Sequence, residues 1–205
     1  MTDETGATAR DWSQLNSGQI SDALERAGLP QTVLHGFARV DGGAGPCFGP
    51  AFTIRQTPKA EDTPRAEALV RHGRAVREEV PPGAVIVIDN AGRLDSATWG
   101  GNHTRRCAAR GIAGAVIFGA SRDIEEIAQT RQPVWTTGQS PVKSLWSLRT
   151  EAINAPVTVQ GVTIRPGDIV FADRTGIVII PQAAAAEVHA HAEAVRAAEL
   201  RAAAP

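Results

Sequence analysis

Gly114-Ala115-Val116-Ile117-Phe118-Gly119-Ala120-Ser121-Arg122-Asp123-Ile124-Glu125-Glu126 decides how this chain is read. Residues 114–118 form an unbroken apolar run, the signature of a buried strand. Acidic residues then open what reads as a helix from Ile124 to about Gln129. A fixed cation and a carboxylate, Arg122 and Asp123, sit where strand gives way to helix. Open α/β folds place their ligands at such strand ends.

The same alternation runs upstream. Pro82-Gly83 marks a turn before a second buried strand at 84–88, and residues 101–110 read as a helix ended by Gly111. Residues 49–56 alternate as a strand, and a short strand follows at 134–137. Near the start, 17–27 has helical apolar spacing with Ser17 as N-cap, and Gly28-Leu29-Pro30 stops it. Residues 64–79 suit an amphipathic helix. The last third changes character: 156–159, 162–164, 168–172 and 176–180 are short strands punctuated by Gly161, Pro166-Gly167 and Thr175-Gly176, which predicts an antiparallel meander. A long Ala-rich helix over 182–203 closes the chain. The fold class is therefore α/β, with mixed sheets, flanking helices and a long C-terminal helix. One domain over 13–205 is expected, preceded by a flexible arm at 1–12.

Composition excludes several classes. The 205 residues suffice for one sizeable core. A formal net charge of −1 gives no electrostatic case for nucleic-acid binding. No apolar stretch has the length of a bilayer span, and the polar, acid-bearing N-terminus is unlike a secretory signal, so a cytoplasmic protein with no membrane partner is expected. Cys47 and Cys107 are far apart and read as reduced thiols rather than metal ligands.

Two loops carry the candidate chemistry. One runs from Asp89-Asn90 through Arg93, Asp95 and Trp99 to Gly100-Gly101-Asn102-His103-Thr104; the other holds Arg122-Asp123. Gly100-Gly101 before a helix leaves backbone N–H groups that can hold a carboxylate or phosphate. Arg122 can grip the same anion in a fork. Asp123 can bind Mg²⁺ with water in the remaining positions. Each residue also has a plainer role: a tight turn for the glycines, a solvated pair for Arg122 and Asp123, a core or helix-face histidine for His103, a cap for Asp95. Trp99, Trp135 and Trp146 suit packing. The residues alone leave both readings open.

The order of motifs resembles a known family. Ser21-Asp22-Ala23-Leu24, Gly49-Pro50-Ala51-Phe52-Thr53, Val87-Ile88-Asp89-Asn90, Trp99-Gly100, Arg110-Gly111-Ile112-Ala113-Gly114, the 119–126 segment, Asn154 to Asp168 and Asp173 to Pro181 together resemble the regulator-of-ribonuclease-activity-A (RraA)-like family. That family includes class II 4-hydroxy-4-methyl-2-oxoglutarate/4-carboxy-4-hydroxy-2-oxoadipate aldolases. The resemblance implies a layered β/β/α swivelling domain in homotrimers or hexamers with sites between subunits. It implies a small 2-oxo acid substrate, cleavage to pyruvate, and decarboxylation of oxaloacetate with Mg²⁺ or Mn²⁺. On this chain it puts the metal on Asp123, pyruvate on Arg122, and the substrate-cradling amides on Asn102 and His103, beside Gly100 and Gly101. Aldolase members usually carry an acid where this chain has Gly101. His103 as a proton shuttle, Asp95, or Glu193 or Glu199 of a neighbouring subunit are the expected replacements. Other family members are non-catalytic regulators that lack the aspartate pattern, which this chain keeps.

Overall fold

A computed structural model describes residues 10–64 and 69–203. The elements are α1 (Ser17–Arg26), β1 (Val33–Leu34), β2 (Ala38–Arg39), β3 (Cys47–Pro58), α2 (His72–Glu78), β4 (Val85–Asp89), β5 (Ala97–Trp99), α3 (Gly101–Ala109), β6 (Gly114–Ser121), α4 (Ile124–Thr130), β7 (Val134–Gln139), β8 (Leu148–Ile153), β9 (Val157–Val159), β10 (Val162–Ile164), β11 (Ile169–Ala172), β12 (Ile177–Ile180) and α5 (Ala185–Ala202).

The long strand β3 organises the molecule because it serves two sheet regions. Its first residues, Cys47 to Pro50, pair antiparallel with β11, which leads on to β12 and β1. From Ala51 onward it pairs in parallel with β4, followed by β6 and β7. Its far end pairs with β8, with a bulge between Arg55 and Gln56. At the changeover a Cβ on Gly49 would lie 2.1 Å from the carbonyl oxygen of Gly83, so no larger residue fits there without moving the backbone.

Buried apolar strands feed cores on both faces. In β4, Ile86 and Ile88 face α2, α3 and α4, joining Val76, Cys107 and Ile127. Val85 and Val87 face the opposite way, onto Val157, Val170, Ile177 and Ile179. The outer face of β11–β12, with Phe171, Val178 and Ile180, is covered by α1 and α5. The layering is helix, sheet, sheet, helix. The described part of the expected arm is anchored: Trp12 is buried in the third core and its ring meets His189 edge-on at 4.8 Å. Residues 1–9 lie outside the described residues.

Several local expectations change. The cap of α1 is Asn16, not Ser17. Asn16 Oδ1 accepts from Gln19 N (2.9 Å) and Gln19 Oε1 accepts from Asn16 N (3.1 Å), a reciprocal capping box. Ser17 instead donates to the Asp173 carboxylate. The helix expected over 64–79 begins only at His72, because Thr150 N donates to Leu69 O and Arg71 N donates to Thr150 Oγ1, tying 69–71 to β8. Residues 65–68 lie outside the described residues. The terminal strands are not one meander. β9 and β10 form a separate hairpin while β11 and β12 join the main sheet. The C-terminal helix starts at Ala185 after a 3-10 turn at Gln182–Ala184. Among the described residues no helix is long and apolar enough to cross a membrane. Cys47 and Cys107 are free and buried, and burial pushes each thiol up to about 12.

Candidate active site

Three parts of the chain meet outside the carboxyl ends of β5 and β6. Trp99 leads directly into α3 through Gly100, β6 ends at Ser121 before Arg122 and Asp123, and His72 and Gly73 of α2 close a third side. The segment Lys143 to Leu145, between β7 and β8, forms the rim. Together they enclose a cavity of about 250 Å³.

Arg122 and Asp123 both line it. Arg122 N donates to Trp99 O (3.0 Å), locking the two loops together, and Arg122 Nε lies 3.5 Å from Asp123 Oδ2. Asp123 adopts a left-handed backbone, φ 57°, as it caps α4. A non-glycine residue held there carries strain, and such strain gathers at functional sites. Gly100 is extended, so its backbone needs no glycine. Space does: a Cβ on Gly100 would sit 2.8 Å from Asp123 Oδ2 and 3.1 Å from Arg122 Cγ. The glycine keeps room over the carboxylate.

Thr104 fixes the start of α3. Its hydroxyl accepts from Trp99 Nε1 (3.0 Å) and donates to Gly100 O (3.1 Å). Of the two amides expected to cradle substrate, His103 N is turned to Gly100 O (3.1 Å). Asn102 lines the cavity at the open N-terminal end of the helix. Gly101 is buried and does not line the cavity; a Cβ there would lie 2.3 Å from Glu126 Oε2 and 2.9 Å from Glu126 Cβ. Glu126 therefore fills the space of the missing side chain at 101, and its carboxylate pairs with Arg105 at 2.6 Å.

Asp95 is not brought to the cavity lining; its half-exposed carboxylate is held by Arg93 at 2.8 Å, which lowers its pKa. Glu199 accepts from Gln19 and Glu193 pairs with Arg196, both on α5, outside the cavity lining. Asp89 pairs with Arg55 at 3.4 Å, and Asn90 is buried outside the lining. The tryptophans do not cluster: Trp99 and Trp135 lie in different cores, and Trp146 is 45% exposed.

Sequence reasoning missed His72, Arg106 and Lys143. Arg106 and Lys143 add to Arg122, so among the described residues of the lining three cations face one carboxylate. That excess favours a ligand carrying more than one negative charge. The His72 and His103 rings meet at a tilt of 56° with centroids 4.7 Å apart, and the Trp99 ring centroid lies 5.2 Å from that of His103. Burial drives His72 from 6.5 down to about 4, opposed by the Thr98 backbone. Burial first, then His72, Arg106, Arg77 and Arg122, drives His103 from 6.5 to about 3. Both rings are neutral at physiological pH.

Stability follows with a definite sign. The folded values lie below the unfolded 6.5, so the unfolded chain takes up protons that the folded chain refuses. Stability is full above pH 6.5 and falls as the pH drops toward about 4, by up to about 1.4 kcal/mol per pH unit for each ring. Urea midpoints measured between pH 7 and pH 4.5 check this: His72→Gln is expected to flatten the decline relative to the unmodified protein.

Fold and site together define a layered α/β domain with an anion-attracting cavity at its strand ends. Residues 17–179 match the RraA-like family described as Aldolase/RraA, and the chain belongs to that family. It is 35% identical to Protein DlpA of Legionella pneumophila over 91% of this chain, and spans only 29% of that longer protein. It is 37% identical, over 53% of this chain and 68% of the relative, to a protein of Ectopseudomonas mendocina provisionally named a 4-hydroxy-4-methyl-2-oxoglutarate aldolase. Among solved structures it is similar to Streptomyces coelicolor RraAS2, described as an unusual member of the RNase ES inhibitor RraA family (TM-score 0.80, 32% identity, 93% and 92% of the two chains). It is also similar to the RNA-processing inhibitor RraA of Thermus thermophilis (TM-score 0.66, 29% identity, 82% and 94%).

Proposed function

We propose that this domain is a divalent-metal-dependent lyase that cleaves small 4-hydroxy-2-oxo acids to pyruvate and decarboxylates oxaloacetate. The observation that carries the reading is the Arg122–Asp123 pair on one cavity wall, with Gly100 leaving volume over the carboxylate. Family relatives with aldolase names support it.

The residues fit a hard cation that retains water. Asp123 offers one carboxylate, and no group of three or more His, Cys, Asp or Glu side chains among the described residues could hold a metal without water. Mg²⁺ or Mn²⁺, when bound, supplies Lewis acidity toward the negative charge of a pyruvate enolate. Asp123 would hold that ion. Arg122 binds the pyruvyl carboxylate or keto oxygen and adds a second positive charge where the enolate forms. Gly100 and Asn102 cradle a substrate carboxylate at the start of α3, with the His103 side chain beside them. Arg106 and Lys143 suit the further carboxylate. The working assembly is a homotrimer or hexamer; exposed Val142 and Trp146, flanking the cavity rim in sequence, suit a subunit contact.

The second reading is a regulatory protein without catalysis, favoured by the likeness to RNA-processing inhibitors. Pyruvate release from oxaloacetate and from 4-hydroxy-4-methyl-2-oxoglutarate, with Mg²⁺ and then with excess chelator, separates the two. Protein-dependent turnover that the chelator abolishes is expected. Folded protein giving no turnover above the metal-only background would favour the regulator.

A further inference from the structure

Arg105 links α3 to α4 beside the cavity. Its Nη1 donates to Glu126 Oε2 (2.6 Å) and its Nη2 donates to Asn102 Oδ1 (2.7 Å). A guanidinium carries donors only, so the atom of Asn102 that meets it is the amide oxygen; the reverse amide orientation would set N–H against N–H. This contact fixes which way the Asn102 amide is turned. Its acceptor end is taken by Arg105, and its donor end, Nδ2, has no hydrogen-bond partner among the described residues. Asn102 lines the cavity and Arg105 does not. The end of the amide turned away from Arg105 is therefore an N–H donor.

The other arm of Arg105 depends on Gly101. A Cβ there would lie 2.3 Å from Glu126 Oε2 and 2.9 Å from Glu126 Cβ, so Glu126 reaches over α3 only because residue 101 has no side chain. Gly101 admits Glu126, Glu126 holds one arm of the guanidinium, and the planar fork carries that constraint to Asn102. The Arg105–Glu126 pair is half-exposed, so it adds little to stability. What it sets is direction. Arg106, Arg122 and Lys143 attract an anion into the cavity, and a positioned neutral N–H adds the orientation that charge alone does not.

We infer that Asn102 Nδ2 donates to a carboxylate oxygen of the substrate, and that Arg105, braced by Glu126, turns the amide to do so. This assignment rests on the lyase reading. Asn102 touches the substrate; Arg105 and Glu126 are positioning residues that act through it.

The test has an arm that needs no turnover: calorimetric titration of oxalate, a stand-in for the pyruvate enolate, into protein saturated with Mg²⁺. Asn102→Ala should weaken oxalate binding by about tenfold, the scale of one hydrogen bond to a charged group. Asn102→Asp keeps an acceptor for Arg105 and puts an anion in place of the donor, so it should bind more weakly than Asn102→Ala by about another tenfold. Arg105→Ala and Gly101→Ala, which release the amide without removing it, should each cost about threefold. Arg105→Ala added to Asn102→Ala should change binding by less than about twofold, because a residue that acts through another has no effect once that other is gone. Thermal unfolding of every variant should stay near that of the unmodified protein. Oxalate binding unchanged in Asn102→Ala, or Asn102→Asp binding as tightly as Asn102→Ala, would overturn the donor role. Losses that add in the double variant would make Arg105 a direct charge on the anion and overturn its positioning role. In the turnover arm, KM for oxaloacetate should rise in the same order while kcat changes by less than about threefold. Unmodified protein that binds oxalate yet releases no pyruvate would sink the lyase reading and leave the donor to the titrations; no oxalate binding at all would overturn the inference itself.

Discussion

Asp123→Asn is expected to remove metal-dependent pyruvate release almost completely, by about 10³-fold or more, which corresponds to roughly 4 kcal/mol of lost transition-state stabilisation. The substitution is nearly isosteric and removes only the charge. Asn tolerates the left-handed backbone at φ 57° as Asp does, so the start of α4 should keep its geometry. Thermal unfolding should therefore shift by no more than a few degrees while turnover collapses. Among the described residues of the cavity lining Asp123 is the only carboxylate. Turnover within tenfold of the unmodified protein, at saturating Mg²⁺, would move the metal elsewhere and sink this assignment.

Arg122→Ala is expected to lower kcat/KM by about 10²- to 10³-fold, the range for losing a preorganised charged donor at a developing oxyanion. Arg122→Lys discriminates charge from geometry. Lysine keeps the positive charge but has no planar fork to meet a carboxylate with two parallel bonds. It should recover less than a tenth of the lost activity. If lysine restores full activity, Arg122 acts as a point charge and the fork has no role. Arg106 and Lys143 cannot take over, because Arg122 alone is tied by its backbone to Trp99 O at the junction of the two loops.

The pair that matters most was readable because its context is local. An apolar run, a charged dipeptide and an acidic helix start lie within thirteen residues, and each has its own physical signal. The cores were readable for the same reason: Val85 to Ile88 is apolar throughout and proves buried on both faces. What escaped depends on distant partners. β8 has the sequence Leu-Arg-Thr-Glu-Ala-Ile, with charged residues that mask its pattern, and it forms a strand because β3 offers an edge. His72 looked like part of a long amphipathic helix; only the ties of 69–71 to β8 shorten that helix and bring the ring beneath His103. Lys143 lies in a segment with no periodicity at all. Glu126 could be seen, but not that it occupies the space above Gly101, since that contact joins two helices.

The two-sided pairing of β3 sets an order of events during synthesis. Its C-terminal half finds β4 after about thirty further residues, but its first residues must wait for β11: Cys47 pairs with Ala172. Val33 of β1 waits in the same way for Val178. Contacts so distant in sequence slow folding, because the chain between them must be ordered first. A nascent chain that has completed the parallel strands and both cavity loops still presents Val85, Val87 and Val116 to solvent until the last third emerges. The cavity is therefore encoded before the layer that supports it, and the interval is when this protein is most exposed to aggregation.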